Sequence, residues 1–326
     1  MPKTKLSAED LQDVKQMPAV FDRLLAEGAG ADLSSQEAAD AKRVISTVYG
    51  LAATSWRPDD TWNWGYHDPA LQREIEEVIP GYASFGTDGF SEQLYYYTLR
   101  QVPWEFSEYR GKRILDVGSG LGGGLHFLSR MIEGAELSGV DISKVAVARA
   151  NAHHSRVNTL SYSVGDAENI PFDDDVFDVV INLESAHHYP NLDRFLAEVA
   201  RVLKPGGHFS MVDLFNDKHL ANFNKAKSAS TRLQWVAEID ISPQVSDAIR
   251  QRMAPGSHLR ESFARQKVTL LQRLISKSCW TAGFGALFTG DGSTLPMAKL
   301  ARRIGGLSHL DKAPVRVYRH HLATAV

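Results

Sequence analysis

The chain has 326 residues, 43% of them hydrophobic and 23% charged, with a net charge of −3 at pH 7. This length suits one large domain or two small ones, and the weak negative charge argues against a nucleic-acid surface. No apolar run is long enough to span a bilayer, and the N-terminus lacks the apolar core of a signal peptide. The lone Cys279 excludes an intrachain disulfide and reads as a packed thiol rather than a nucleophile. A cytoplasmic protein without stable membrane insertion is the expectation.

Residues 1–105 read as a helical extension followed by an aromatic cap. Leu11, Val14, Met17, Phe21, Leu24 and Leu25 recur at helical spacing, and Pro18 is expected to kink or divide that helix. Ser34-Ser35-Gln36-Glu37 fits a capping box, and Val44, Ile45, Val48, Tyr49 and Leu51 line one face after it. Amphipathic helices need a surface to bury against. Three surfaces are open to these: the core, a site that they cap, or a second copy of the chain in a homo-oligomer. Between Trp56 and Pro69, Trp62, Trp64 and Tyr66 are the candidates for the wall of an apolar binding pocket. Ser91-Glu92-Gln93-Leu94-Tyr95-Tyr96-Tyr97 begins a further helix, one of whose phenols can close over a ligand.

From residue 113 strands and helices alternate, as a parallel sheet requires. Residues 106–214 form this core. A short apolar run, Arg113-Ile114-Leu115-Asp116-Val117, leads into Gly118-Ser119-Gly120-Leu121-Gly122-Gly123-Gly124 and an amphipathic helix carrying Leu125, Leu128, Met131 and Ile132. Glycines admit positive φ and let a ligand approach the main chain, and the helix start offers unpaired N–H groups. Gly118-x-Gly120-x-x-Gly123 fits a dinucleotide loop, and Gly118-x-Gly120-x-Gly122 fits an S-adenosylmethionine (SAM) loop. Asp116 favours the second, because a carboxylate at the mouth repels a pyrophosphate but helps hold a cationic ligand end.

Asp141 ends the next strand, where a carboxylate can accept both hydroxyls of a ribose. After the strand Leu160–Val164, Asp166 can accept from an adenine amino group and Ala167 leaves room for the ring. Asp173-Asp174-Asp175 reads as a solvated turn, and no ligand set at metal spacing surrounds it. Phe177–Leu183 is a buried-type strand that runs into Glu184-Ser185-Ala186-His187-His188-Tyr189-Pro190. Ligands of open α/β sheets sit at the carboxyl ends of strands, so Glu184, His187 and His188 are the candidates for chemistry. A neutral histidine can take a proton from a hydroxyl near pH 7. Glu184 can orient that histidine, act as the base itself or stabilise a carbocation. No third ligand at zinc spacing accompanies the histidines, so no metal is expected.

A helix through Leu192, Phe195, Leu196, Val199, Val202 and Leu203 ends at Lys204-Pro205-Gly206-Gly207, and a strand follows from His208 to Leu214. Residues 215–310 show little strand character. They carry one helix marked by Phe263, Leu270, Leu271, Leu274 and Ile275 and an irregular stretch from Gly283 to Ser293. An insertion there lies over the ligand edge of the sheet, the place for substrate specificity. Val315–Leu322 alternates like a terminal strand of the core sheet, within residues 311–326.

As an ordered set, Ile114–Gly124, Val140-Asp141, Gly165–Phe172, Phe177–Pro190 and Leu203–Gly207 resemble the class I SAM-dependent methyltransferases. More narrowly, Asn63-Trp64-Gly65-Tyr66, Leu94-Tyr95, Gly165–Phe172 and Glu184–Pro190 are similar to the phthiotriol/phenolphthiotriol dimycocerosate O-methyltransferases. The wider group includes sterol, tocopherol and prenyl C-methyltransferases. The resemblance implies an α/β, Rossmann-like, doubly wound and mostly parallel seven-stranded sheet, with the N-terminal helical extension and a helical insertion after the fifth strand. It implies SAM as cofactor and S-adenosyl-L-homocysteine as product. Gly118, Ser119, Gly120 and Gly122 would wrap the methionyl part with Asp116 close by. Asp141 and Ile142 would hold the ribose and Asp166-Ala167 the adenine. Asn182 would face the methionyl group, and Tyr95 would reach its carboxylate.

His187 matches the narrower pattern and His188 departs from it, so His187 with Glu184 is the expected base for a hydroxyl acceptor. The expected activity is O-methylation of an apolar small molecule, a natural product or lipid of secondary metabolism. The alternatives are C-methylation of a prenyl, terpenoid or indole-terpenoid acceptor, with or without cyclisation, and SAM binding without catalysis. An NAD(P)-dependent oxidoreductase is disfavoured because no Tyr-x-x-x-Lys pair follows the fourth strand. The first 55 residues and much of 215–310 lie outside the resemblance and would set the acceptor.

Overall fold

The computed structural model describes residues 7–26, 29–30, 33–57, 60–82, 87–156, 158–258, 261, 300, 315 and 317–326. Cys279, the helix expected around Phe263–Ile275 and the stretch Gly283–Ser293 lie outside the described residues.

The core is a seven-stranded sheet in the order β3-β2-β1-β4-β5-β7-β6. The strands are β1 (Arg113–Val117), β2 (Glu136–Asp141), β3 (Leu160–Val164), β4 (Phe177–Leu183), β5 (Leu203–Phe215), β6 (Leu233–Asp240) and β7 (Val317–Ala325). The first five are parallel, and β7 runs antiparallel between β5 and β6. Successive side chains of a strand point to opposite faces, and here both faces are buried. Ile114, Val179 and Ile181 join Leu125 and Leu128 on one side. Leu115, Val117 and Val180 join Phe195, Leu196 and Val199 on the other. Helices α5 (Gly123–Met131), α6 (Lys144–His154) and α7 (Leu192–Val202) cover these faces, which is why the strands read as continuous apolar runs. The chain leaves β1 toward β2 on one side and returns to β4 on the other. This topological switch opens a crevice at the carboxyl ends of β1 and β4.

The N-terminal helices α1 (Ala8–Ala26) and α2 (Ser35–Ser55) pack on the core. The capping box is formed: Ser34 Oγ accepts from Glu37 N–H, and the Glu37 carboxylate accepts from Ser34 N–H. Leu24, Ala41 and Ile45 bury against Val20, Leu33, Tyr49 and Ile142. Ser46 Oγ donates to Ile142 O at 3.1 Å, and Arg149 donates to the carbonyls of Ala53 and Trp56. Helix α2 therefore lies beside the end of β2. Helices α3 (Pro69–Val78) and α4 (Phe90–Arg100) lead into β1.

Three local expectations need correction. Helix α1 runs unbroken through Pro18, so packing against α2 overrides the break that proline favours. Strand β5 starts at Leu203 rather than His208, because Leu203 pairs with Phe177 ahead of a register shift. Residues 215–310 are not free of strand: after α8 (Asp217–Ala229), β6 forms the sheet edge before α9 (Ser242–Met253). Most of the β6 residues beyond Leu233 are partly or fully exposed, and a bulge at Trp235/Ala237 interrupts its register. A one-sided edge strand carrying Glu238 and Asp240 gives little apolar signal.

Candidate active site

A cleft of about 1000 Å³ lies at the carboxyl ends of β1, β2 and β4. Its floor is the glycine loop. Gly118, Gly120 and Gly122 all have positive φ, at +85°, +54° and +82°. A Cβ on Gly118 would stand 2.3 Å from Ser185 Oγ, and one on Gly120 would stand 3.2 Å from the Trp62 ring. The loop is thus pressed between Ser185 and Trp62 and keeps its main chain exposed to the cleft. Ser119 also lines it.

Asp141 lies at the end of β2. Its carboxylate accepts from Gly120 N–H at 2.9 Å and Ser143 N–H at 2.8 Å, which fixes its angle. Burial pushes its pKa up against these two bonds. Ile142, Asp166 and Ala167 line the same end of the cleft. Asp166 Oδ1 accepts from Glu168 N–H, and its Oδ2 accepts from Lys42 Nζ at 2.8 Å.

At the end of β4, Glu184 lines the same cleft. It is not glycine yet has φ of +49°, a conformation that costs about 1–3 kcal/mol and gathers at functional sites. Both its oxygens accept from Trp64 N–H at 3.0 Å. Burial pushes its pKa well above the carboxylate range and the Trp64 hydrogen bond opposes that; Asp213 raises it further and Arg252 lowers it. His188 lines the cleft too, and burial and the neighbouring histidines hold its pKa well below the usual value. Its ring is therefore neutral near pH 7, and the same burial makes it a weaker base than an exposed histidine. Tyr49 meets His188 edge to face at 5.4 Å and Trp62 at 5.1 Å.

Five of the expected site residues sit elsewhere. Asp116 does not face the cleft; it is fully buried and accepts from Tyr95 Oη at 3.1 Å. Burial raises it to about 7. Tyr95 lines the cleft, but its hydroxyl is aimed at Asp116 and its ring presses on Gly124. Asn182 lies behind the loop and donates to Val117 O and Ser185 Oγ, both at 2.7 Å. It braces the turn rather than facing the methionyl position. Trp64 and Tyr66 turn into the core, where Tyr66 stacks on Tyr97 at 4.5 Å; of the three loop aromatics only Trp62 lines the cleft. His187 stands one layer back. Its Nδ1 lies 2.6 Å from Asp213 Oδ1, its N–H donates to Asp213 Oδ2, and its ring is 4.0 Å from that of His188.

Helix α2 supplies three lining residues that the sequence reading did not single out for the site, Lys42, Ile45 and Tyr49. Arg252 of α9, which donates to Asn63 O just before Trp64, is another omission. Amphipathic spacing shows that α2 packs, but not against what. Among the described residues, no group of three or more His, Cys, Asp or Glu is placed to hold a metal ion, and no helix is long and apolar enough to cross a membrane.

Residues 115–211 match the methyltransferase domain family. Over 207 residues the chain is 38% identical to the phthiotriol/phenolphthiotriol dimycocerosates methyltransferase of Mycobacterium leprae, which spans 63% of this chain and 72% of that protein. The chain belongs to the class I SAM-dependent methyltransferase family. The chain is also 38% identical over 176 residues to a fatty-acid O-methyltransferase of Mycolicibacterium smegmatis, covering 53% of this chain and 60% of that one. It spans 63% of the length of the first curated relatives that it matches. The geranyl diphosphate C-methyltransferase of Streptomyces coelicolor, in complex with S-adenosyl-L-homocysteine, shares the fold. The likeness covers 88% of this chain and 98% of that one, with a TM-score of 0.54 and 14% identity.

The family implies SAM as methyl donor, and the residues present fit it. A Cβ at Gly118 would collide with Ser185 and Tyr189, both of which line the cleft, so only glycine keeps the loop in this place. Asp141 and Asp166 lie along the cleft from the loop, at the ends of β2 and β3. Glu184 places an acid beside that loop.

Proposed function

We propose that this methyltransferase transfers the methyl group of SAM to a hydroxyl of an apolar small molecule, a lipid or natural product. The observation that carries this reading is that one cleft holds both halves of the chemistry. The glycine loop, Asp141 and Asp166 line it together with Glu184, His188, Tyr49 and Trp62. Two relatives named for lipid acceptors support an apolar substrate.

When bound, SAM supplies an activated methyl on a sulfonium, leaving S-adenosyl-L-homocysteine. The chain's task is alignment and exclusion of water. Gly118, Gly120 and Gly122 would admit the methionyl part, Asp141 would accept from the ribose hydroxyls, and Asp166 with Ala167 would receive the adenine. Tyr49 and Trp62 give the acceptor an apolar wall. His188, neutral and in the cleft, takes the hydroxyl proton. His187, held by Asp213, fixes the His188 ring from behind.

A second reading is favoured by one observation. Glu184 shares the cleft with the Tyr49 and Trp62 rings, and an acid with aromatic faces shields a developing cation. In this reading the acceptor is an alkene carbon and no proton leaves before attack.

The test uses SAM labelled in its methyl group, incubated with the purified protein and a cell extract, followed by partition of the label. Label in the organic fraction, lost in Asp141→Ala, is the expected result. Label only in protein overturns the small-molecule reading, and SAM binding with no transfer points to a protein that does not methylate. His188→Ala separates the two acceptors: turnover falls on the order of a hundredfold if a hydroxyl reacts, and far less if a carbon does.

A further inference from the structure

Arg252 is a buried cation in α9, 6% exposed. Its guanidinium is held by three partners at once: Nε donates to Asp88 Oδ2 at 2.7 Å, Nη2 to Ser91 Oγ at 2.8 Å and Nη1 to Asn63 O at 2.7 Å. That last acceptor belongs to the peptide bond between Asn63 and Trp64. The N–H of the same peptide donates to both oxygens of Glu184 at 3.0 Å. One peptide unit therefore joins a guanidinium to the candidate catalytic acid.

We propose that Arg252 is a positioning residue for Glu184, which it orients and keeps ionisable through the polarised Asn63–Trp64 peptide. This rests on the reading that the cleft holds SAM. The physical argument has two parts. A hydrogen bond from a charged donor pulls electron density toward the carbonyl oxygen, which makes the N–H at the other end of the peptide a stronger donor, and linked hydrogen bonds in a low dielectric strengthen one another. The fork of Arg252 also fixes the loop on two other elements, so the N–H stays aimed at a side chain on a strained backbone. Lysine cannot reproduce this, because it lacks the planar set of donors.

Among the described residues, the titratable and charged groups that interact with Glu184 are Asp213 from β5, Arg252 from α9, Tyr49 from α2, Tyr95 from α4 and Tyr318 from β7, and His188 lines the same cleft. Of the charged ones, Asp213 opposes ionisation of Glu184 and Arg252 favours it.

The experiment measures calorimetric dissociation constants of SAM and of S-adenosyl-L-homocysteine across pH. The two ligands differ by a methyl and a positive charge, so their affinity ratio reports a nearby carboxylate. No acceptor is required. In the wild type the preference for SAM rises with pH as Glu184 ionises. Arg252→Met leaves Asp88 buried without its cation and risks the fold, so it is paired with Asp88→Asn. In that double variant the midpoint moves up by about one pH unit. Arg252→Lys moves it less. In Glu184→Gln this titration is gone, and adding Arg252→Met with Asp88→Asn there changes nothing further. A midpoint that stays in place in the folded double variant overturns the relay, as does a wild-type ratio that Glu184→Gln leaves unaltered. Failure to bind SAM at all instead sinks the proposed function, and the relay with it.

Discussion

Lys42 Nζ lies 2.8 Å from Asp166 Oδ2, an ion pair between residues 124 apart in sequence that clasps α2 to the turn after β3. The same ammonium lies 2.6 Å from Glu168 Oε2, and the Glu168 side chain is only 3% exposed. Lys42→Ala leaves Glu168 with the Asn191 N–H on its other oxygen and no cation. We expect a stability loss of about 1–3 kcal/mol and faster release of SAM, because α2 is a wall of the cleft. Stopped-flow fluorescence, with Trp62 in the cleft as reporter, measures the release. Lys42→Arg should restore most of it. A Lys42→Ala protein with unchanged stability and release contradicts the clasp.

Gly118→Ala tests the cradle separately from the cost of positive φ. A Cβ there meets Ser185 Oγ at 2.3 Å and Tyr189 Oη at 3.0 Å. Ser185 cannot easily yield, since Asn182 holds it from behind. Gly111 has a similar φ of +74° with nothing within 4 Å. Gly111→Ala should therefore lose about 1–2 kcal/mol of stability from the backbone alone and bind SAM as the wild type does. Gly118→Ala should lose at least as much stability and on the order of tenfold or more in SAM affinity. Equal SAM affinities in the two variants would mean that contact with Ser185 does not shape the site.

Much of this arrangement was legible in the sequence because it is local. The glycine loop, Asp141 after β2 and the acid with two histidines after β4 follow from strand–turn–helix order, and order fixes which sheet edge they share. What escaped is set by long-range packing. Nothing around Lys42 or Arg252 marks a partner, since Asp166 and Asn63 are brought to them only by the folded core. The aromatic loop misled in part for the same reason. Gly65 has φ of +87° and its α-carbon packs on Phe90, so the chain reverses there and carries Tyr66 into the core while Trp62 stays in the cleft. His187 and His188 are adjacent in sequence, yet the short turn Ala186–His188 sends one to Asp213 and the other to the cleft.

Asp213 is the anchor of that turn. It is fully buried and accepts from His187 N–H at 2.9 Å and Leu214 N–H at 2.7 Å, besides the 2.6 Å contact with His187 Nδ1. Burial alone would raise its pKa, but the charge and hydrogen bond of His187, with His219 and the Leu214 N–H, hold it below the usual range. A carboxylate depressed in the fold adds stability above its unfolded value of 3.8 and loses it as pH falls through the folded value. Asp213→Asn should cost about 1–3 kcal/mol at neutral pH, as the loss of a buried acceptor from several donors does. Urea unfolding should also show that the wild type loses its advantage over this variant in acid. A constant gap at every pH would contradict the depressed carboxylate.

Asp116 gives the opposite sign. It is buried beneath Tyr95, and burial raises it from 3.8 to about 7 against the Tyr95 hydrogen bond. The folded chain then keeps a proton that the unfolded chain releases, so stability falls as pH rises from about 4 to about 7 and levels off above that. Glu92 is also raised to about 7 by burial, so the wild-type curve alone does not isolate Asp116. Asp116→Asn does, because it keeps an acceptor for Tyr95 and removes the charge. The difference in unfolding free energy, wild type minus variant, should decline across that window and flatten beyond it. Parallel curves would mean that Asp116 ionises in the fold as freely as in the open chain. A fully buried carboxyl held by one phenol cannot do that, since an ion in a low dielectric needs several donors or a cation to be held.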